Sequence, residues 1–538
     1  MGIAACAVVI LANGVIAAGQ TGTVPPPHRM PVVPQALLER PIELRANIGA
    51  SHDAIAGTTP EAQRFYDQGL SYLHNYVWLE AARSFNQALR LDPRQALAYV
   101  GVSAAYEQLN QRAAAHTALD RARAIGATGE HERLHLLIAE RQRAAEDAPR
   151  NPALLTEYRK ALDEALSRFP QDAELWLQRG VAESPDPADR GQGSPSSAIP
   201  FYNRALAVMP DHFAAHHYLT HAYENGGRIQ EALEQGAAYA RLASAIPHAR
   251  HMYGHDLRRL GRIREAITEF AAADALEREY FAREHVDPED DWHYEHNLDL
   301  LGTSYQYAGQ IRLAAAMLEK AFNLPTANLV QAVNKREWTM LLRALDRNEA
   351  AATAARTLIG HPNLVVQGIG HIELAHTLLA RAQISEGARE ANAAVTALKA
   401  AEAGNALASM PMQVLQGEYF LRSGQRDKGR ATLTAAIKQA RLAQGPDEWA
   451  QALFTLEAIA RAARQAGDWE FATTVAAQML DHDPAYGGTH YAAGLAAEHR
   501  GDAKTARQEF ERAQALWADA DADFPPIIDL KKRLAGRQ

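Results

Sequence analysis

Between residues 61 and 520 large and small apolar residues recur at helical spacing, and the recurrence itself repeats. In FYDQGLSYLHNYVWLEAARSFNQALRLDP, Phe65, Tyr72 and Phe85 are large, Gly69, Ala81 and Ala88 are small, and Pro93 closes the stretch. Counted from Ala62 as position 1, the large residues fall at 4, 11 and 24, the small ones at 8, 20 and 27, and the proline at 32. That pattern predicts two antiparallel amphipathic helices, brought close by the small residues and locked by the large ones. A second copy begins at Ala96, 34 residues later, with Tyr99, Ser103, Tyr106, Ala115 and Ala122 in register.

The two copies resemble the tetratricopeptide repeat, a 34-residue helix–turn–helix unit. The resemblance implies an all-α chain, a right-handed α-solenoid of stacked helix pairs. Further units begin near Phe213 and Pro247, then near Glu295, Ala332, Gly368, Met410, Leu453 and Gly487. The expected organisation is a signal peptide or N-terminal anchor (1–19), a Pro-rich extended leader (20–60) and two regular units (61–127). A non-standard helical pair (128–172) follows, then units with a His-rich concave groove (173–325), divergent units (326–520) and a C-terminal tail or capping segment (521–538). Within 173–210 the loop SPDPADRGQGSPSS interrupts one unit.

Composition narrows the function classes. Hydrophobic residues make up 47% of the chain but aromatics only 7%, which suits packed helices better than a large sheet. A net charge of −9 argues against a nucleic-acid surface and against a polybasic membrane patch. MGIAACAVVILANGVIAAGQ has the length and apolarity of an export signal, with Ala17 and Gly19 where a signal peptidase acts, although no Lys or Arg precedes Arg29. The expected location is periplasmic or secreted. Cleavage would remove Cys6, the one cysteine, and with it any thiol chemistry.

Candidate chemistry sits in three consecutive units. The unit at Phe213 places His217, His221 and Glu224 on one helix face, and the unit at Pro247 places His248, His251 and His255 likewise. In the unit at Glu295, His296 and Asp299 share a face, with His293 one turn earlier. In the tetratricopeptide family the first helix of each pair lines a concave groove, so the resemblance aims these side chains into one part of it. Imidazole and carboxylate groups on neighbouring helices point to a transition metal (Cu, Zn, Fe or Mn). A second functional reading is a protonated cluster that captures an anion at low pH. The plainer alternative is a polar lining of hydrogen-bonded histidines. Arg250 and Arg258 flank the cluster as candidate groove residues, although such arginines more often pair with surface carboxylates. Trp292 and Tyr294, in the long insertion EREYFAREHVDPEDDWHYEH, are candidate lid residues; the bland alternative is a helix extension with an acidic loop.

No phosphate loop, dinucleotide fingerprint, nucleophile elbow or zincin helix occurs. The stretches HHYLTHAYENGGRIQEAL, HARHMYGHDLRRLGRIREAI and WHYEHNLDLLGTSYQYAGQ are similar to a histidine-bearing branch of repeat proteins like tetratricopeptide repeat protein 38. That likeness implies a site without naming its chemistry. The expectation is an exported scaffold that binds a protein, peptide or small ligand in its groove, with a histidine-lined metal site. The alternative is a metal-dependent oxidoreductase or hydrolase built on the same histidines.

Overall fold

The computed structural model describes residues 33–326, 328–401, 404–442 and 448–535. The export segment lies outside the described residues. Those described are helical, in sequential antiparallel pairs, and form two compact units, one on residues 33–297 with 325–326 and one on the described residues of 298–324 and 328–535.

In the N-terminal unit a short α1 (Gln35–Leu38) precedes the pairs α2 (Pro60–His74) with α3 (Trp78–Leu91) and α4 (Ala96–Gln108) with α5 (Arg112–Ile125). Next come α6 (Glu130–Asp147) with α7 (Pro152–Arg168), and α8 (Ala173–Val181) with α9 (Ile199–Val208). The histidine-bearing pairs are α10 (Phe213–Asn225) with α11 (Ile229–Leu242) and α12 (Pro247–Arg259) with α13 (Ile263–Glu284); α14 (Tyr294–Tyr307) runs across the boundary between units. Helices begin at Ala96, Phe213, Pro247 and Gly487, where repeats begin in the sequence.

The packing code is visible atom by atom. A methyl group on Gly69 or on Gly101 would lie 2.5 Å from the Phe85 ring, so one phenyl fills the notches of two successive first helices. Phe270 fills the notch at Gly254 in the same way (2.8 Å), and Phe510 that at Gly494 in the C-terminal unit (2.4 Å). In the regular pairs the turn passes through a left-handed residue at position 15: Asn110 at φ 58°, Gly227 at 72° and Gly261 at 73°. The first pair breaks the preference, because Tyr76 holds that position at φ 60°. A bulky residue there costs about 1–3 kcal/mol, so something must hold it.

The stretch before α2 differs from the extended leader expected for it. From Val33 onward it is docked: Val33, Leu38, Ile42, Ile48 and Ile55 are buried, and the Ile48 carbonyl accepts a hydrogen bond from Asn75 Nδ2 (2.7 Å). Apolar residues spaced along an irregular segment give it a buried edge that helical periodicity does not reveal.

Candidate metal centre

His217 and His221 stand one turn apart on α10. His248 opens α12, where Pro247 at the first helical position presets the backbone, and His251 and His255 follow on the next turns. The third contribution depends on Asp291, whose carboxylate accepts the N–H groups of His293 (2.7 Å) and Tyr294 (2.9 Å). This caps α14 and sets His293 and His296 against α12. Seven imidazoles thus form one continuous cluster. Ring centroids are 4.9 Å apart for His217–His221, His217–His248 and His248–His293, 4.3 Å for His293–His251 and His251–His255, and 4.8 Å for His251–His296.

Within it two sets of three converge. The ligand nitrogens of His217, His221 and His248 lie within 4.8 Å of one another, and so do those of His251, His255 and His296. His217 Nε2 stands 3.1 Å from both His221 Nε2 and His248 Nε2. Metal–nitrogen bonds of about 2.0–2.1 Å in a tetrahedral site separate neighbouring nitrogens by about 3.3 Å. The tautomer of His217 is fixed from outside: its Nδ1–H donates to the His74 carbonyl (2.8 Å), which leaves Nε2 a single lone pair. One lone pair can accept one N–H, yet two nitrogens face it. A hydrogen bond explains one contact; a shared cation explains both.

The same logic governs the other end. His251 Nδ1–H donates to Asn297 Oδ1 (2.9 Å), and the Asn297 amide is oriented by donating to the Phe270 carbonyl (3.1 Å). His293 Nδ1 is 2.6 Å from Glu277 Oε1. Both rings therefore turn an imine nitrogen inward, and neither Nε2 has a hydrogen-bond partner among the described residues. An outer partner on one ring nitrogen, a bare lone pair on the other: this is how metal-ligating histidines are held. Between the two sets sits buried Glu224, its carboxylate 3.9 Å from His221 Nδ1 and 3.6 Å from His255 Nδ1.

Burial, reinforced by neighbouring imidazoles, holds His217, His248, His251 and His293 well below the ordinary histidine range. Burial likewise lowers His221 to about 4. Neutral rings of this kind are ligands for a cation and poor receptors for an anion. Nor do the rings line an open groove: His217 is 0% exposed and His251 1%. Tyr76 roofs the first set, its ring centroid 4.6 Å from His217, 5.2 Å from His248 and 6.1 Å from His221. That contact, with a hydrogen bond from Tyr76 Oη to the Arg190 carbonyl (2.9 Å), holds the strained turn.

The remaining sequence candidates scatter. Trp292 covers the cluster as a lid residue would, stacking on Trp78 (5.2 Å) and donating to the Tyr76 carbonyl (3.0 Å). Much of the insertion is a plain continuation of α13, followed by a short turn at Pro288–Asp290. Tyr294 is turned away: its ring packs on Phe281 (5.0 Å) and its hydroxyl meets Asp274 (3.1 Å). Arg250 pairs with Glu269 (3.2 Å) on the half-buried side of α12, and Arg258 is buried. Asp299 falls in the C-terminal unit, where its carbonyl accepts from Thr303 Oγ1 (2.8 Å). Sequence reasoning missed Tyr76, Asn297, Glu277 and the His74 carbonyl. Of these only Tyr76 carried a signal, as a bulky residue at the turn position where later repeats have Gly, Asn, Asp or Ala.

A cavity of about 150 Å³ adjoins the cluster, walled by His248, His293, Trp292, Tyr76, Tyr72 and Tyr280.

No family model and no curated protein matches the chain. Among solved structures it is similar to the P58(IPK) TPR domain at 12% identity, covering 89% of this chain and 99% of that one, with a TM-score of 0.23. It is also similar to yeast Tom70 at 14% identity, 88% and 95% coverage and a TM-score of 0.31. A tetratricopeptide repeat protein from Parabacteroides merdae gives 14% identity, 54% and 97% coverage and a TM-score of 0.30. At such values the fold of this chain rests on its own helix pairs.

Proposed function

We propose that this protein is a metal-binding repeat protein whose N-terminal unit holds two transition-metal ions, one on His217, His221 and His248 and one on His251, His255 and His296. The observation that carries the reading is the pair of 3.1 Å Nε2 contacts at His217, a nitrogen left with one lone pair by its bond to the His74 carbonyl. Ligands of imidazole alone suit copper or zinc best. Three protein ligands leave a coordination position open, and an ion so held supplies Lewis acidity or an activated water. The protein's own part is to keep the rings oriented, to exclude bulk water with Tyr76 and Trp292, and to offer a cavity beside His248 and His293. The apolar N-terminal stretch supports export of the protein.

Elemental analysis of the untagged chain, purified without chelator, tests this. About two equivalents of copper or zinc bound by this cluster are expected, with one lost in His217→Ala and the other in His251→Ala. A metal content left unchanged by both substitutions, after reconstitution near neutral pH, would overturn it.

A second reading rests on the C-terminal unit. A cavity of about 100 Å³ there is walled by Arg336, Arg343, Arg461, Glu373, His376 and Glu418. Such alternating charge supports docking of a polar peptide, and binding of peptides to a chain whose histidine cluster has been substituted would separate the two readings.

A further inference from the structure

A second constellation in the N-terminal unit shares no residue with the seven-histidine cluster. His131 and His135 stand four residues apart in the first two turns of α6, so both rings leave the same face. Asp172 reaches them from the start of α8 and Asp53 from the docked segment before α2. His131 Nε2 lies 2.8 Å from Asp172 Oδ2 and 3.5 Å from Asp53 Oδ1, and His135 Nε2 lies 3.2 Å from Asp172 Oδ2. One ligand atom from each of the four residues falls within 4.8 Å of all the others.

Each carboxylate is held by its other oxygen. Asp172 Oδ1 accepts the N–H of Leu175 (3.1 Å) as the cap of α8, and Asp53 Oδ2 accepts from Tyr66 Oη (3.2 Å). Both inner oxygens are thereby aimed at the imidazoles. As an ion-pair cluster the arrangement is lopsided, because Asp172 Oδ2 faces both ring nitrogens while Asp53 Oδ1, on a buried carboxylate, stands beyond good hydrogen-bond reach of His131. As a coordination shell it is more coherent: three separations of 2.8, 3.2 and 3.5 Å bracket the edge of about 3.3 Å expected for metal bonds near 2.0–2.1 Å, and the others stay within 4.8 Å. Two imidazoles at i and i+4 on one helix are also the way zinc-binding helices present nitrogen to a single ion.

We infer that Asp53, His131, His135 and Asp172 form an independent site for a divalent first-row cation, zinc in the first instance. Its two-nitrogen, two-oxygen set is harder than the all-imidazole sets and suits Zn²⁺, Mn²⁺ or Fe²⁺. Asp53 and His135 also wall a cavity of about 110 Å³. Because Asp53 lies in the docked N-terminal segment, the ion would clip that segment to α6 and α8.

The test uses the full chain, stripped of metal and reloaded with Zn²⁺. His131→Ala/His135→Ala is expected to lose one equivalent relative to wild type, and its segment before α2 to become the site of faster limited proteolysis in zinc. His217→Ala/His251→Ala is expected to lose the metal of the other cluster and to keep this one, so failure of either reading leaves the other measurable. Should the double variant fail to fold by circular dichroism, His131→Ala alone removes a partly exposed ring, and a roughly 100-fold weaker zinc affinity at this site is expected. Unchanged zinc stoichiometry in the double variant, or unchanged affinity in the single one, would overturn the assignment.

Discussion

Five imidazoles of the cluster, His217, His221, His248, His251 and His293, are held below the ordinary histidine range by burial, which makes the metal-free form acid-labile, and His221 sets the scale. Burial, partly offset by Glu224 and reinforced by His255, holds this ring at about 4, whereas an unfolded chain binds the proton near 6.5. Above pH 6.5 neither state is protonated and the stability is fully present. As pH falls from 6.5 to 4 the unfolded chain takes up a proton that the folded chain refuses, so stability is lost across that window. A difference of about 2.5 units at 1.36 kcal/mol each gives about 3.4 kcal/mol in the acid limit and about 2 kcal/mol at pH 5. The assay is urea unfolding of metal-free protein at pH 7.5, 6 and 5, followed by far-UV circular dichroism, for wild type and His221→Gln. A chain of two units need not unfold in one step, so the transition compared is the one whose midpoint the substitution shifts. The stability advantage of wild type over His221→Gln should shrink by about 2 kcal/mol between pH 7.5 and 5. Identical pH dependence in the two proteins would refute the claim that His221 is buried and neutral.

Asn297→Ala removes the acceptor that orients His251, and should weaken metal at the His251 set by about 10–100-fold while leaving the His217 set unchanged, read by competition with a chromophoric chelator. Gly254→Ala puts a methyl group 2.8 Å from the Phe270 ring between α12 and α13, and should cost about 1–3 kcal/mol, seen as a lowered melting temperature.

The helix pairs were legible in the sequence because their cause is local. Glycine at position 8, an aromatic residue at 24 and a left-handed turn at 15 state which faces touch in the units at Ala62, Pro247 and Gly487. The histidine sets were legible for the same reason: spacings of three and four residues fix a helix face whatever the helix packs against. Local spacing says nothing about the wall opposite that face. It could not show that Tyr76 and Trp292 close over the rings, that the His74 carbonyl and Asn297 select their tautomers, or that Tyr294 turns away toward Asp274. Nor could it assemble Asp53, His131, His135 and Asp172, drawn from three segments more than a hundred residues apart end to end. The sequence by itself determined that imidazoles would gather on adjacent helices. Only tertiary packing decided that most of them are buried and that they are aimed at common points, because desolvation and lone-pair direction belong to the surroundings of a side chain and not to its place in a repeat.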